Sequence, residues 1–234
     1  MRIADNAELL EIKTEQGGVV QYIYPVLTWD ENELVLIDTA LPGQTELLKE
    51  TIEQAGFAFE KITKVIITHQ DTDHIGSAAV LAGSGVKILA HEYEIPYIQG
   101  DKTPVRITET EKRLNELSDE ERAFFEKMKA GVSNFYVRVD RPLKDGERLD
   151  ICGGIKVIHT PGHMPGHIAL LLEKSKILVA GDAANAADGK LSGANPQYTQ
   201  DMAEADASFE KMMAFKPSFV VCYHGGLCKT GENR

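Results

Sequence analysis

Cysteine is scarce in this chain: Cys152, Cys222 and Cys228 are the only three in 234 residues. An odd, scattered set builds no disulfide framework and reads as buried or idle thiols in a reducing compartment. Basic residues are outnumbered, 25 Lys and Arg against 36 Asp and Glu, for a net charge of −11. Such a surface repels a phosphate backbone, and no dense Lys/Arg cluster relieves it, so nucleic acid is not an expected partner. Long apolar runs are missing as well. Ile168–Leu172 and Ile177–Ala180 are among the longest and fall far short of a bilayer span, so no membrane partner is expected. The opening Met1-Arg2-Ile3-Ala4-Asp5-Asn6 lacks the apolar core of a signal peptide, and a cytoplasmic location is the expectation. Repeats, low-complexity tracts and linker-like stretches are absent too. With 43% apolar and 26% charged residues, 1–234 reads as one globular domain, long enough to bury a layered core without staples.

Strand and helix signals alternate along the chain. Val19 to Trp29 is rich in β-branched and aromatic residues. Asp30-Glu31-Asn32-Glu33 turns it, and Leu34 to Ile37 returns as a buried strand. Thr45 to Ala55 carries Leu47, Leu48 and Ile52 at helical spacing and stops at Gly56. Lys64 to Thr68 predicts a strand, Ile75 to Leu81 a helix and Val86 to Ala90 a further strand. The polar stretch 92–135 reads as a helical insertion, with Ser118 as an N-cap before acidic first-turn residues. Phe124, Phe125 and Met128 are expected to form one apolar face in the core of that insertion. Strands are predicted at Phe135 to Val139, Ile155 to His159, Ile168 to Leu172 and Ile177 to Val179. A helix from Met202 to Phe215 and a last strand, Ser218 to Cys222, follow. The order implies an α/β fold with two sheets covered by helices.

Four places put His or Asp just past a predicted strand end: His69-x-Asp71-x-Asp73-His74, His163, Asp182 and His224. Imidazole and carboxylate donors suit zinc, manganese or iron. In an extended loop, residues two apart point the same way, so His69 and Asp71 can serve one ion while Asp73 and His74 turn toward a second. A carboxylate such as Asp182 can bridge both, because each oxygen has its own lone pairs. Two ions about 3.5–4 Å apart acidify a shared water and polarise a carbonyl. His91 and His159 fit no ligand pattern and read as structural. His167 reads as a satisfied buried histidine or a partner of a ligand, and Asp38 as a turn cap or a hydrogen-bond partner of a ligand histidine. Cys222 is read as a packing residue.

The chain resembles the metallo-β-lactamase superfamily over nearly its whole length. The resemblance rests on the His69–His74 stretch and on four other words: Ile37-Asp38-Thr39, Thr160-Pro161-Gly162-His163-Met164-Pro165-Gly166-His167, Gly181-Asp182-Ala183 and His224-Gly225-Gly226. It implies a four-layer αβ/βα sandwich with metal at one edge of the sheets. It further implies a first site of His69, Asp71 and His163, a second of Asp73, His74 and His224, and Asp182 bridging. One position departs from the family's His-x-His-x-Asp-His signature, since Asp71 stands where the second histidine is usual. A carboxylate there makes the site harder and more anionic, so manganese or iron gains ground on zinc.

The function implied is a dinuclear metallo-hydrolase. A metal-bound hydroxide attacks the ester, lactone, thioester or amide carbonyl of a small molecule, with zinc as the expected ion and Asp73 as the catalytic residue that orients the water or moves its proton. An iron-dependent redox enzyme of the same fold, or a non-catalytic metal-binding module, is the alternative. Glyoxalase II enzymes share the metal motif but add a C-terminal helical region, which is expected to be absent from a chain ending ten residues after His224. Quorum-quenching lactonases carry a Tyr three residues after the bridging Asp, where this chain has Asn185; Tyr198 and Tyr223 are the candidate replacements.

Overall fold

A computed structural model describes residues 1–16 and 19–230. The first half supplies nine strands: β1 (Arg2–Ala4), β2 (Ala7–Leu9), β3 (Ile12–Gln16), β4 (Val19–Ile23), β5 (Val26–Trp29), β6 (Leu34–Ile37), β7 (Lys64–Ile67), β8 (Lys87–His91) and β9 (Arg141–Leu143). Between them lie helices α1 (Thr45–Gln54), α2 (Thr72–Ile75), α3 (Ala78–Gly83), α4 (Ile95–Ile98), α5 (Val105–Lys112) and α6 (Asp119–Gly131). The second half adds β10 (Arg148–Leu149), β11 (Ile155–His159), β12 (Ile168–Leu172), β13 (Ile177–Gly181), β14 (Ala184–Ala187), β15 (Lys190–Gly193), α7 (Met202–Met213), β16 (Phe219–Cys222) and β17 (Gly226–Lys229). One sheet runs β1-β2-β5-β6-β7-β8-β9 and the other β10-β11-β12-β13-β16-β17, with β3-β4 and β14-β15 as separate hairpins.

Two-residue periodicity places the layers. Along β6, Val35 and Ile37 join the cluster between the sheets, whereas Leu34 and Leu36 face outward against Leu48 and Ile52 of α1 and Leu81 of α3. Along β12, Ile168, Leu170 and Leu172 point inward while Ala169 and Leu171 meet Met212 of α7. Strands buried on both faces read as continuous apolar runs, and the helix–sheet–sheet–helix order is the expected four-layer sandwich. Each fully buried Ile or Leu contributes about 1.5–3 kcal/mol, enough in sum to hold the layers without cross-links. Among the described residues no helix is long and apolar enough to cross a membrane.

The structure corrects several expectations. The helix predicted from Ile75 to Leu81 is broken at Gly76 and Ser77 into α2 and α3. Gly76 lies so close to the strap 39–42 that a Cβ would sit 2.3 Å from the backbone of Leu41 and Pro42, and its N–H donates to the Ala40 carbonyl. Tertiary contact overrides helix propensity there. Phe135 to Val139 form no strand; the Val137 N–H donates to the Ile98 carbonyl and the Val139 N–H to the Gln99 side chain, and the strand begins at Arg141. Ser218 to Cys222 does not end the sheet, because β17 turns back beside β16. The insertion is helical as expected, and Ser118 and Glu121 form a reciprocal capping box at the start of α6. Phe125 is buried but Phe124 is 68% exposed, since neighbours on a helix point about 100° apart.

His91 and His159 stack at 4.3 Å with their rings nearly parallel, and the Tyr93 N–H donates to His91 Nδ1. Burial, with the neighbouring His159, pushes the His91 pKa down to about 4. Asp145 partly opposes this, and Lys211 adds to it. The fold therefore holds His91 neutral, while the unfolded chain protonates it near pH 6.5. Its stability contribution is present above pH 6.5 and is lost as the pH falls toward 4. Urea unfolding at pH 7 and pH 5 is expected to show a smaller acid-induced loss for His91→Leu than for the parent; equal losses would count against a neutral His91.

Candidate metal centre

The loops that follow β7, β11, β13 and β16 open at one edge of the sandwich. The loop after β7 is built around Asp38, a buried residue in the left-handed region (φ 61°). Its Oδ1 accepts the Thr68 N–H at 2.8 Å, and its Oδ2 accepts the Thr68 hydroxyl at 2.8 Å and His74 Nδ1 at 2.9 Å. Asp38 therefore does hold a ligand-position histidine. The strap behind it also holds the backbone, because Thr39 donates both its N–H and its hydroxyl to the His74 carbonyl. His69 Nδ1 lies 3.1 Å from the Thr68 hydroxyl. With Nδ1 committed in both rings, His69 and His74 present Nε2 to the interior of the site.

The other side comes from the second sheet. Gly181 adopts φ 52°, and a Cβ there would lie 2.7 Å from His167 Nε2. That nitrogen accepts the Asp182 N–H at 3.0 Å, so Nδ1 carries the proton and donates to Thr160 Oγ1 at 2.8 Å. Burial and the neighbouring histidines hold His167 well below the usual imidazole range, which keeps it neutral. It is thus a satisfied buried histidine that positions Asp182.

All seven residues marked in the sequence converge. The potential ligand atoms of His69, Asp71 and His163 lie within 4.8 Å of one another, as do those of Asp73, His74 and His224 and those of His69, His74 and Asp182. Asp182 sits between the two outer groups, with Oδ1 3.5 Å from His74 Nε2 and Oδ2 3.5 Å from His163 Nε2 and 3.6 Å from His224 Nε2. Burial alone would raise the Asp182 pKa, but His74, His224 and His163 outweigh it and hold the carboxyl well below its usual range. Burial likewise disfavours a charged His74, yet Asp38, Asp73 and Asp182 lift its pKa well above normal. The donor set fits divalent metal on a specific observation: His69 Nε2, His74 Nε2, Asp71 Oδ1 and Asp182 Oδ1 are buried without hydrogen-bond partners. Buried polar atoms of that kind are rare unless a ligand answers them.

Several contributors carry no motif. Arg106, in the first turn of α5, donates Nε and Nη2 to Asp71 Oδ2 at 3.0 and 2.7 Å, and its Nη2 lies 3.1 Å from His163 Nε2. The only sequence signal for it is the extra carboxylate at position 71, which needs a counter-charge once buried. Glu94, fully buried, accepts the Gln70 N–H and side-chain amide on Oε2 and the Gly166 N–H on Oε1, clamping two site loops together. Burial pushes its pKa up to about 7 against the pull of those donors. Gln70 Oε1 in turn accepts the Val105 N–H, which fastens the insertion to the loop.

Above the donors lies a cavity of about 920 Å³. Asp71, Asp73, His163, Asp182 and His224 form its floor, and Ile23, Leu41, Phe124, Phe125 and Met128 contribute an apolar wall. All three Phe and Met side chains therefore line the cavity, and of the two phenylalanines only Phe125 is buried in the insertion, Phe124 being exposed. Asn185 and Tyr198 also line it. Tyr223 does not serve there, because its ring packs against His74, tilted by 33° with centroids 3.9 Å apart, and its hydroxyl donates to the Asp73 carbonyl at 2.6 Å. Cys222 packs in the outer apolar cluster of the second sheet, where burial raises its thiol pKa.

A four-layer sandwich with clustered His and Asp at its loop edge defines a class of metal-binding α/β proteins. Sequence comparison narrows the class: the family described as the metallo-beta-lactamase superfamily matches residues 18–224, and the chain belongs to it. The chain is 28% identical to the probable metallo-hydrolase YflN of Bacillus subtilis, over 87% of this chain and 79% of that protein. It is 29% identical to a hydroxyacylglutathione hydrolase of Francisella philomiragia, over 76% of this chain but only 54% of that protein. A metallo-beta-lactamase family protein from Thermus thermophilus shares the fold with a TM-score of 0.73 at 22% identity, covering 97% of this chain and 76% of that one.

Two variants separate the carboxylates. Asp182→Ala is expected to lose metal from both donor groups, and Asp71→Ala to retain the ion held by Asp73, His74 and His224. Elemental analysis after reconstitution reads this directly, and equal metal content in the two variants would contradict a bridging Asp182. Glu94→Gln turns an NH₂ group toward N–H donors that now meet a carboxylate oxygen. It is expected to cost about 1–3 kcal/mol in chemical denaturation.

Proposed function

We propose that the chain is a metal-dependent hydrolase that cleaves an ester, lactone, thioester or amide bond of a small molecule. In this reading two divalent ions, zinc foremost, are held by His69, Asp71 and His163 at site one and by Asp73, His74 and His224 at site two, with Asp182 between them. The observation that carries it is the convergence of seven imidazole and carboxylate donors, some buried and without hydrogen bonds, five of which form the floor of an accessible cavity. The names of the relatives, metallo-hydrolase and hydroxyacylglutathione hydrolase, support hydrolysis.

When bound, such ions supply an acidified water and a Lewis acid for a carbonyl oxygen. The side chains do the remainder. His74 and His224 outweigh burial and lower the Asp73 pKa, which keeps its carboxylate ionised and able to hydrogen-bond and orient an attacking water. Its Oδ2 lies 3.2 Å from His224 Nε2, which fixes its direction. The apolar wall takes the part of the substrate remote from the carbonyl and excludes water around it.

A screen of reconstituted protein against chromogenic esters, lactones, thioesters and nitrocefin is expected to find activity that a chelator abolishes. Asp73→Asn, checked for metal load, is expected to lower kcat by about 10²–10⁴-fold. Activity indifferent to chelation, or an unaffected Asp73→Asn enzyme at full load, would refute the reading.

A further inference from the structure

Arg106 makes the two halves of the donor cluster unequal. Its guanidinium places two N–H groups on Asp71 Oδ2 and aims Nη2 at His163 Nε2 from 3.1 Å. Those two atoms belong to site one. Asp71 can spare an oxygen, because its Oδ1 is buried and unpartnered. His163 cannot, because imidazole Nε2 has a single in-plane lone pair that serves either an N–H donor or a metal ion. A metal–nitrogen bond of about 2.0–2.1 Å to His163 therefore requires Nη2 to leave. The guanidinium also repels a divalent cation entering beside it. Site two carries no such burden: among the described residues the ion pairs of Asp73 are with His74 and His224 alone.

The side chain has somewhere to go. It is 28% exposed at the cavity, and its Cζ already lies 5.7 Å over the Tyr198 ring while it holds Asp71, so a shift toward that ring would keep the cation–π contact as the N–H groups leave. Its backbone stays put, because the adjacent Val105 N–H is held by Gln70. The guanidinium can thus swing from Asp71 toward Tyr198 without unfolding α5.

We propose that Arg106 orders the loading of the metal centre: site two fills first and tightly, and site one fills only when an ion displaces the guanidinium from Asp71 and His163. Arg106 is then a positioning residue that sets the affinity gap between the sites. This rests on the metal-site reading above. Giving up charge-assisted contacts of this kind is expected to weaken site one by about ten- to hundred-fold relative to site two.

The test is a calorimetric titration of the chelator-stripped full chain with zinc, repeated with cobalt to follow each ion by its visible absorption. The parent is expected to bind one ion tightly and a second at least about ten-fold more weakly. Arg106→Gln removes the charge and is expected to strengthen the second ion by a similar factor while leaving the first unchanged. Arg106→Lys keeps the charge but loses the planar fork, and is expected to fall between the two. Circular dichroism checks that each variant folds, and the lysine variant keeps the test open if the glutamine one does not. Two equal sites in the parent, or an identical gap in all folded proteins, would overturn the proposal and leave the hydrolase reading standing. Failure of the parent to bind any metal would overturn both.

Discussion

The site depends first on one buried carboxylate. Asp38 accepts three hydrogen bonds, from the Thr68 N–H, the Thr68 hydroxyl and His74 Nδ1. It does so from a backbone conformation that L-residues other than Asn, Asp and Gly seldom adopt. These bonds join the end of β6 to the end of β7 and aim His74 in the same stroke. Because Thr68 also faces the His69 ring and its carbonyl accepts the Ile168 N–H of β12, the interaction reaches the second sheet as well. The sheets supply burial, and Asp38 converts burial into direction.

A second chain of contacts connects the site to the insertion. Glu94 grips the loops of Gln70 and Gly166, Gln70 holds Val105, and the next residue, Arg106, reaches back to Asp71. The segment that walls the cavity is thus fastened to the loop that floors it. Change in the insertion is transmitted to the donor cluster through a few hydrogen bonds rather than through diffuse packing.

The donor positions are legible in the sequence because each sits just past a strand, and strands buried on both faces announce themselves as short apolar runs. His69, Asp71, Asp73, His74, His163, Asp182 and His224 all follow such runs, and the structure gathers them. The layer order is legible for the same reason. Contacts set by distant chain are not. The break at Gly76 comes from the strap 39–42, and the failed strand at Phe135 to Val139 comes from bonding to Ile98 and Gln99. Phe124 lies on the cavity side because the rotational phase of α6 depends on its packing. Arg106 is one of many charges in a polar stretch, and only the buried Asp71 beside it gives it meaning. Tyr223, weighed as a cavity residue, is spent beneath His74.

Each donor group draws two residues from the loop of the first sheet and one from the second: His69 and Asp71 with His163, Asp73 and His74 with His224. An ion gripped by either group is a clasp across the two halves of the chain. Its binding free energy becomes resistance to parting the sheets, because the separated halves cannot supply the full set of donors. An ion bound there would add to what keeps the halves together, so metal content and resistance to unfolding would be linked.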